Sequence, residues 1–269
     1  MAGLALAPAA LANLLTPESG GSPNADKIHT LYLVTLVIAI VIFLGVTGTL
    51  VYSLVRFRHR KGRVAAQIHG NTNLEIGWTV GAALILVILA VVTFAMLPGI
   101  RDPARSGPGG LPLASGAQFA AVDIPKPPGG KALRIDVQGR QFLWRYTYPN
   151  GAYSYEEMVV PIDTTVVLDI TSTDVAHSWW IPKFGGKFDA IPGSHNYTWF
   201  KGVKLGTFKG QCAELCGRGH ADMVARVRVV PVAEYQTWVE RQKTLIQQAN
   251  QAEAAAAKQQ EQSGQGTGP

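Results

Sequence analysis

The chain has 269 residues, of which 47% are hydrophobic and only 16% are charged, and its formal net charge is +6 at pH 7. This length allows one sizeable domain plus further segments, and two cysteines exclude a small scaffold held together by many disulfides. The positive balance suits either a nucleic-acid partner or the basic loops beside membrane spans, and the clustering of cations between two apolar segments favours the membrane.

Two long apolar segments predict helices that span a membrane. Residues 30–55 and 76–100 contain no Asp, Glu, Lys or Arg, and each is longer than the roughly 20 residues that cross the hydrocarbon core. The alternative, a buried helix of a soluble protein, is disfavoured because both segments are too long and are apolar on every side. We therefore predict a transmembrane α-helical hairpin over residues 28–100.

The loop between the two segments predicts the orientation of the hairpin. Short loops rich in Lys and Arg remain in the cytoplasm, so the N-terminus and everything after residue 100 are predicted to be extracytoplasmic. Residues 1–27 are interpreted either as a disordered N-terminal extension or as the remnant of a signal peptide without the usual basic start. The cations of the loop are Arg56, Arg58, Arg60, Lys61 and Arg63.

After the hairpin, the composition changes twice. Residues 101–130 are rich in Gly, Pro, Ala and Ser, which is typical of a linker. Residues 131–231 contain short alternating or β-branched runs between turn residues, which predicts an all-β sandwich or barrel with antiparallel or mixed strands. Residues 232–269 begin with a helical pattern that places Tyr235, Trp238 and Val239 on one face, and beyond about residue 250 they are predicted to form a disordered tail.

One stretch of the β domain combines sulfur and nitrogen donors, because Cys212, Cys216, His220 and Met223 lie close together in sequence. Thiolate and imidazole select copper, zinc or an iron–sulfur cluster, and the thioether favours copper, for which it is a common weak axial ligand. Two thiolates can bridge two copper ions, each of which needs an imidazole, and His177 is the candidate for the second one. A disulfide between the two cysteines is the alternative.

The run C-x-E-x-C-G-x-x-H-x-x-M resembles the copper loop of the cytochrome c oxidase subunit II family. The segments HSWWIP, KFDAIPG and NTNLEIGWTV are also similar to this family, so the resemblance covers about residues 25–245. It implies a cupredoxin-like domain with a binuclear copper centre (copper A), and a magnesium ion on the Glu214 side chain at the interface with the catalytic subunit. The copper ligands that it implies are His177, Cys212, Cys216, His220, Met223 and the backbone carbonyl of Glu214.

The function implied by this resemblance is electron input to a terminal respiratory oxidase in a bacterial cell membrane. The copper centre accepts electrons from a c-type cytochrome and passes them to haem in the catalytic subunit I, where oxygen is reduced and protons are pumped. Subunit III and membrane lipid are further expected partners, and no nucleic acid is expected. The oxygen chemistry belongs to the partner subunit rather than to this chain.

The sequence departs from the family at two places. The family carries an aromatic stretch, G-H-Q-W-Y-W, whose first Trp receives electrons, and here Phe142 stands at that position. Phe142 and Trp144 are therefore candidates for electron input, with packing in the core as the alternative and the favoured interpretation of Trp144. The family also places a Glu after the second helix, at the mouth of a proton path into the catalytic subunit, where this chain has Asp102. The alternatives are that Asp102 substitutes for this Glu or that protons enter elsewhere, and we interpret Asp102 as a surface residue. His195 is interpreted as a surface residue too.

The charge of the β domain bears on its electron donor. Residues 101–230 contain 15 Lys and Arg against 11 Asp and Glu, a difference of +4. A net-basic domain steers a strongly basic cytochrome poorly, although Glu156, Glu157, Asp174 and Asp189 could form a local acidic patch. We therefore predict a donor that is neutral, acidic or held in the membrane beside the oxidase.

Other functions require different motifs or domains in the sequence. A quinol oxidase subunit lacks the copper ligands that are present here, and a variant with a fused cytochrome c domain needs a C-x-x-C-H motif, which this sequence does not contain. Nitrous oxide reductase shares a similar copper loop but needs a long propeller domain. Two alternatives remain open: a membrane-anchored copper-delivery protein, which would release copper readily, and a structural anchor whose cysteines form a disulfide.

Overall fold

The computed structural model describes residues 16–59, 62, 64, 67–113 and 126–264. Two long helices, α1 (Pro23–Arg56) and α2 (Thr72–Arg101), are each long and apolar enough to cross a membrane, and their apolar stretches are not buried by protein. Large hydrophobic side chains are exposed around both helices, as lipid-facing helices require. The prediction of two spans is thus confirmed. Helix α1 begins earlier than predicted, with Pro23 in its first turn, where the fixed φ of proline suits a helix.

The second part of the chain is a sandwich of two five-stranded sheets, ordered β3-β2-β1-β5-β8 and β4-β10-β9-β6-β7. The pairs β1·β5 and β4·β10 are parallel and the other neighbouring pairs are antiparallel, so the mixed all-β fold is confirmed. The strands are β1 (Leu133–Arg140), β2 (Leu143–Thr147), β3 (Tyr153–Tyr155), β4 (Glu157–Pro161), β5 (Thr165–Ser172), β6 (His177–Trp180), β7 (Phe188–Ala190), β8 (Asn196–Lys201), β9 (Gly206–Cys212) and β10 (Val224–Val230).

The core lies between the two sheets and follows from the alternation of their side chains. In β1, Leu133, Ile135 and Val137 are buried while the polar residues between them are more exposed, which is the pattern of a half-buried strand. The hydroxyl of Tyr148, just after β2, donates to the carbonyl of Val159 in β4 (3.0 Å) and accepts from its N–H (2.8 Å). This side chain therefore ties one sheet to the other, and burial raises the pKa of Tyr148.

Part of the predicted linker is folded onto the sandwich rather than free. The Gly107 N–H donates to the carbonyl of Asp163 (2.7 Å), the Leu111 N–H donates to the Thr164 hydroxyl (2.7 Å), and Leu111 packs against the core. Composition alone predicts a loose segment, but the turn before β5 offers partners to its backbone groups. Residues 114–125 of the predicted linker lie outside the described residues.

The residues just before α1 and the first turn of α1 also belong to the β domain. Ser22 and Asn24 are buried: the Ser22 hydroxyl accepts the N–H of Lys201 (2.9 Å), and the Asn24 side-chain amide donates to the carbonyls of Trp199 (2.9 Å) and Phe184 (3.1 Å). We call residues 18–26 the N-terminal strap. The prediction of a disordered extension does not hold for the strap, because buried polar groups fix it along β8. Residues 1–15 lie outside the described residues.

The chain ends in helix α3 (Val232–Gly264). Tyr235 and Val239 are buried, and the ring of Trp238 meets that of Tyr148 at 5.2 Å, so the predicted apolar face packs on the sandwich. The helix continues well beyond residue 250, where the sequence predicts a disordered tail. Its last turns are rich in Ala, Gln, Glu and Lys, which are strong helix formers even where nothing packs against them.

Candidate metal centre

Two neighbouring strands of one sheet bring distant parts of the sequence together. His177 is the first residue of β6 and Cys212 is the last residue of β9, and these antiparallel strands pair Trp179 with Cys212. The Ala213 N–H donates to the carbonyl of Ser178 (2.8 Å), and the Cys212 N–H donates to the carbonyl of Met223 (2.9 Å). The backbone thus holds both ends of the 212–223 loop, which we call the ligand loop, beside His177.

The side-chain donors meet at the end of this sheet in two matching halves. The two sulfurs, Sγ of Cys212 and Sγ of Cys216, are 3.9 Å apart. The Cys212 sulfur lies 3.9 Å from Nδ1 of His177 and 3.2 Å from the carbonyl oxygen of Glu214. The Cys216 sulfur lies 3.6 Å from Nδ1 of His220 and 3.9 Å from Sδ of Met223. Each sulfur therefore has one imidazole nitrogen and one weaker donor.

Tight turns give the ligand loop its shape. The His220 N–H donates to the carbonyl of Gly217 (3.1 Å), and the Met223 N–H donates to that of His220 (3.3 Å). Gly217 has a φ of 131°, which residues with a side chain rarely adopt. The loop therefore turns back on itself, so that His220 and Met223 face the sulfur that precedes them.

Both thiols are free and buried, which decides their chemistry. Burial, together with the nearby Cys212 thiol, raises the pKa of the Cys216 thiol to about 11. A pair of adjacent buried thiolates therefore needs a cation to replace its protons. His177, Cys212 and Cys216 offer three donor atoms within 4.8 Å of one another, a group that could hold a metal ion. The soft sulfurs, two imidazoles and a thioether suit copper.

All the donor atoms that the sequence predicts as copper ligands are brought together in this cluster. His177, Cys212, Cys216 and Met223 are buried and His220 is half-buried, so water has little access to them. The Glu214 carbonyl points at a sulfur, whereas Glu214 as a whole is exposed. The predicted magnesium site on its carboxylate stays a prediction, since the partner subunit that would share it is a different chain.

The two aromatic candidates for electron input lie in different surroundings. Trp144 is completely buried, with its ring 5.9 Å from that of His177 in an edge-to-face arrangement. It therefore cannot contact a donor protein directly, and the packing interpretation applies to it. Phe142 is half-buried and lies against the ligand loop, where a Cβ added to Gly219 would come within 2.6 Å of its ring. The structure thus separates two residues that the sequence groups together.

Two polar residues contact the donors, although the sequence predicts neither of them as part of the site. Asp174 accepts a hydrogen bond from Nε2 of His177 (2.9 Å), and the Gln141 side-chain amide donates to the carbonyl of Cys216 (2.6 Å). Burial alone would raise the pKa of Asp174, but hydrogen bonds from the Gln141 N–H, His177 and the Val175 N–H together lower it to about 2. The spacing Asp-x-x-His is a possible signal for Asp174, and Gln141 stands at the Gln of the family's stretch G-H-Q-W-Y-W.

Two residues interpreted as surface residues are exposed. Asp102 is exposed just after α2. The His195 side chain is 58% exposed, and its Nδ1 lies 2.7 Å from the buried carboxylate of Asp169. Neither residue belongs to the sulfur cluster.

Comparison with known proteins finds family matches for both the membrane part and the β domain of the chain. The family described as cytochrome C oxidase subunit II, periplasmic domain, matches residues 152–230, and the corresponding transmembrane domain matches residues 11–96. Cytochrome c oxidase subunit 2 of Alkalihalophilus pseudofirmus is 30% identical, covering 91% of this chain and 67% of the relative. The protein of that name from Cereibacter sphaeroides is also 30% identical, covering 84% of this chain and 81% of the relative.

A solved structure is similar to the β domain. It is the crystal structure of the periplasmic domain of subunit II of cytochrome oxidase of Bradyrhizobium japonicum, which is 39% identical and covers 44% of this chain and 97% of that one, with a TM-score of 0.42. Two membrane spans followed by a match to a periplasmic domain make the chain a two-span membrane protein whose β domain lies on the extracytoplasmic side.

Proposed function

Since this chain belongs to the cytochrome c oxidase subunit II family, we propose that it delivers electrons to the catalytic subunit of a terminal respiratory oxidase. It takes them from a c-type cytochrome at a binuclear copper centre and passes them to haem. The observation that carries this proposal is the duplicated donor set, in which each sulfur has its own imidazole within 3.9 Å. Such a set suits two metal ions that share two sulfurs better than it suits one.

The residues of the chain hold and shield the metal ions. Copper, when bound, supplies a one-electron couple shared between two ions. Strands β6 and β9 fix His177 and Cys212 in the sheet, so the ligands have little freedom to rearrange when the charge changes. Burial of both sulfurs keeps water away from them. The proposed copper ligands are His177, Cys212, Cys216, His220, Met223 and the Glu214 carbonyl oxygen.

Two outward-facing residues take the proposed contacts with partners. Glu214 is exposed, so its carboxylate is free to hold a magnesium ion together with the catalytic subunit I. Phe142 is half-buried against the ligand loop, so it offers an apolar surface for a c-type cytochrome near the copper ligands. Subunit III and the membrane lipid complete the proposed surroundings, and oxygen reduction with proton pumping belongs to the partner subunits.

Copper content and electron paramagnetic resonance test the proposed function directly. The full chain, purified in detergent and loaded with copper, is expected to bind about two copper ions that share one unpaired electron, as two bridging thiolates require. Cys216→Ser removes one bridge and is expected to abolish this signal. Removal of the copper with a chelator should abolish it too, and copper addition should restore it.

Two buried methionines provide a matched control. Met223 lies beside the Cys216 sulfur, whereas Met158 is equally buried in β4 and belongs to the core. Met223→Leu is expected to change the spectrum of the copper centre while Met158→Leu leaves it unchanged. One copper ion with a mononuclear spectrum would contradict the proposal, and so would a metal-free chain with a disulfide. Copper that is lost readily to a weak chelator would favour the copper-delivery alternative.

A further inference from the structure

Asp174 and Gln141 stand between the two segments that carry the donors, although neither is a donor itself. Asp174 lies in the turn before β6, three residues ahead of His177, and Gln141 lies in the turn between β1 and β2. The main-chain N–H of Gln141 donates to Oδ2 of Asp174 at 2.7 Å. The two residues therefore form one bridge, which reaches His177 at one end and the carbonyl of Cys216 at the other.

We propose that Asp174 and Gln141 are positioning residues that fix the ring of His177 and the backbone of the ligand loop, and thereby set the reduction potential of the copper centre. The effect on the reduction potential rests on the proposed function. The positioning of the His177 ring and of the ligand loop applies to the metal-free protein as well, because all the contacts involved are hydrogen bonds within the chain.

Asp174 determines which nitrogen of His177 faces the sulfurs. Its Oδ1 accepts the proton on Nε2 at 2.9 Å, so Nδ1 keeps its lone pair and faces Sγ of Cys212 at 3.9 Å. The ring of His177 is completely buried, whereas the Asp174 side chain is 27% exposed, so the carboxylate is the group that separates Nε2 from solvent. A negative charge on this partner also makes the imidazole a stronger donor, which favours the oxidised metal.

The carboxylate is itself held firmly. Its oxygens accept hydrogen bonds from the N–H groups of Gln141 and Val175, both at 2.7 Å. His220 differs in this respect, because among the described residues no carboxylate contacts its ring. The two imidazoles are thus unequal: within the described part of the chain, only the ring of His177 has a carboxylate as a hydrogen-bond partner.

Gln141 fixes the other end of the bridge. Its side-chain amide donates to the carbonyl of Cys216 at 2.6 Å, which holds the ligand loop where it passes the second sulfur. This approach depends on Gly217, because a Cβ at that position would lie 2.8 Å from Nε2 of Gln141. The loop is therefore locked against the turn that also carries Phe142.

Two substitutions of Asp174, each made in the copper-loaded full chain, separate the effect of its charge from the effect of its hydrogen bond to His177. Asp174→Asn keeps the oxygen that accepts from His177 and Val175 but removes the negative charge and the acceptor of the Gln141 N–H, so we expect copper to be retained and the midpoint potential to rise. Asp174→Ala removes the oxygen that accepts from His177 as well as the negative charge, so we expect copper to be lost to a competing chelator about 10–100-fold more readily. Asp189→Asn is the control, because Asp189 is exposed on the neighbouring strand β7 and lies outside this bridge.

The role of Gln141 is tested by the same competition with a chelator for copper. Gln141→Ala should speed the loss of copper, while Gln138→Ala, in the adjacent strand β1, should leave it unchanged. An equal rise in potential for Asp174→Asn and Asp189→Asn would overturn the role of the Asp174 contact. Unchanged copper retention in Asp174→Ala and Gln141→Ala would overturn their positioning role.

A measurement without copper distinguishes this inference from the proposed function. Nitrogen NMR of the metal-free full chain reports which ring nitrogen of His177 carries the proton. We expect Nε2 in the original chain and in Asp174→Asn, and a mixture of both tautomers in Asp174→Ala. The same single tautomer in Asp174→Ala would overturn the positioning role whether or not copper binds. A chain that binds no copper but shows the expected tautomers would contradict the proposed function alone.

Discussion

Gly139 in β1 lies directly against the rings of His177 and Trp144. A Cβ added there would lie 2.9 Å from Cδ2 of His177 and 3.1 Å from Cζ3 of Trp144. Both rings are buried and packed edge to face, so neither can swing into open space. The absence of a side chain at this position therefore allows His177 to reach the sulfurs.

We expect Gly139→Ala to displace the ring of His177 and weaken the centre without unfolding the sandwich. Overpacking of this kind costs about 1–3 kcal/mol, and a shifted imidazole should change the resonance spectrum and reduce copper retention. Copper content and the spectrum of the purified variant check this expectation.

Gly186→Ala is the matched control for this substitution. A Cβ at Gly186 would meet the Phe188 ring at 3.5 Å, an ordinary contact, and Gly186 lies away from the donors. If Gly139→Ala retained the original spectrum and copper content, the close approach would not constrain His177.

The N-terminal strap packs along the edge of the β domain. It runs beside β8, and Gly21 fits so closely that a Cβ there would lie 2.4 Å from the carbonyl oxygen of Lys183. The side-chain amide of Asn24 donates to two backbone carbonyls, those of Trp199 and Phe184. Strand β8 is an edge strand, so the strap covers one side of it.

Asn24→Ala should therefore destabilise the β domain. Leaving buried carbonyls without a donor costs about 1–3 kcal/mol, and we expect the free energy of unfolding to fall by that amount. Thermal unfolding of the full chain, followed by tryptophan fluorescence, measures it as a lower Tm. Asn250→Ala, at an exposed position of α3, is the control and should leave the Tm unchanged. Equal Tm values for both variants would mean that the strap adds no stability.

The sequence predicts the strands that have their own pattern and misses those that depend on neighbours. The alternating run of β1 and the apolar run of β5 are recognisable without a structure. Strand β9 is not, because its residues are mostly exposed or half-buried and include two glycines. One of these, Gly210, is required because a Cβ would lie 1.9 Å from the carbonyl oxygen of Trp180. Pairing with β6 and β10 determines this strand.

The same distinction applies to the metal centre. Cys212, Cys216, His220 and Met223 lie in one loop, so their spacing predicts a common site. His177 needs the resemblance to a family, because only the pairing of β6 with β9 brings it to the loop. The bridge through Gln141 depends on the geometry of a turn between other strands, and no spacing in the sequence encodes it.

The charges of the whole molecule bear on the electron donor proposed for it. Three of the four residues of the potential acidic patch already have cationic or hydrogen-bonding partners. Glu157 pairs with Arg228 (3.0 Å), Glu156 with Arg226 (3.7 Å), and Asp174 accepts from His177. The two arginines thus offset the charges of Glu156 and Glu157, in a domain region whose formal balance is already +4 (15 − 11).

We therefore expect the copper-loaded chain to discriminate between cytochromes by charge. Stopped-flow oxidation of a reduced acidic c-type cytochrome should slow as salt is added, because screening removes an attraction that can raise association rates by about 10–1,000-fold. A strongly basic cytochrome should react slowly at low salt and no more slowly at high salt. A fast reaction with the basic cytochrome that falls steeply with salt would show that local acidic groups outweigh the net charge. A donor held in the membrane would instead show little dependence on salt, because its local concentration is set by confinement beside the oxidase rather than by electrostatic steering.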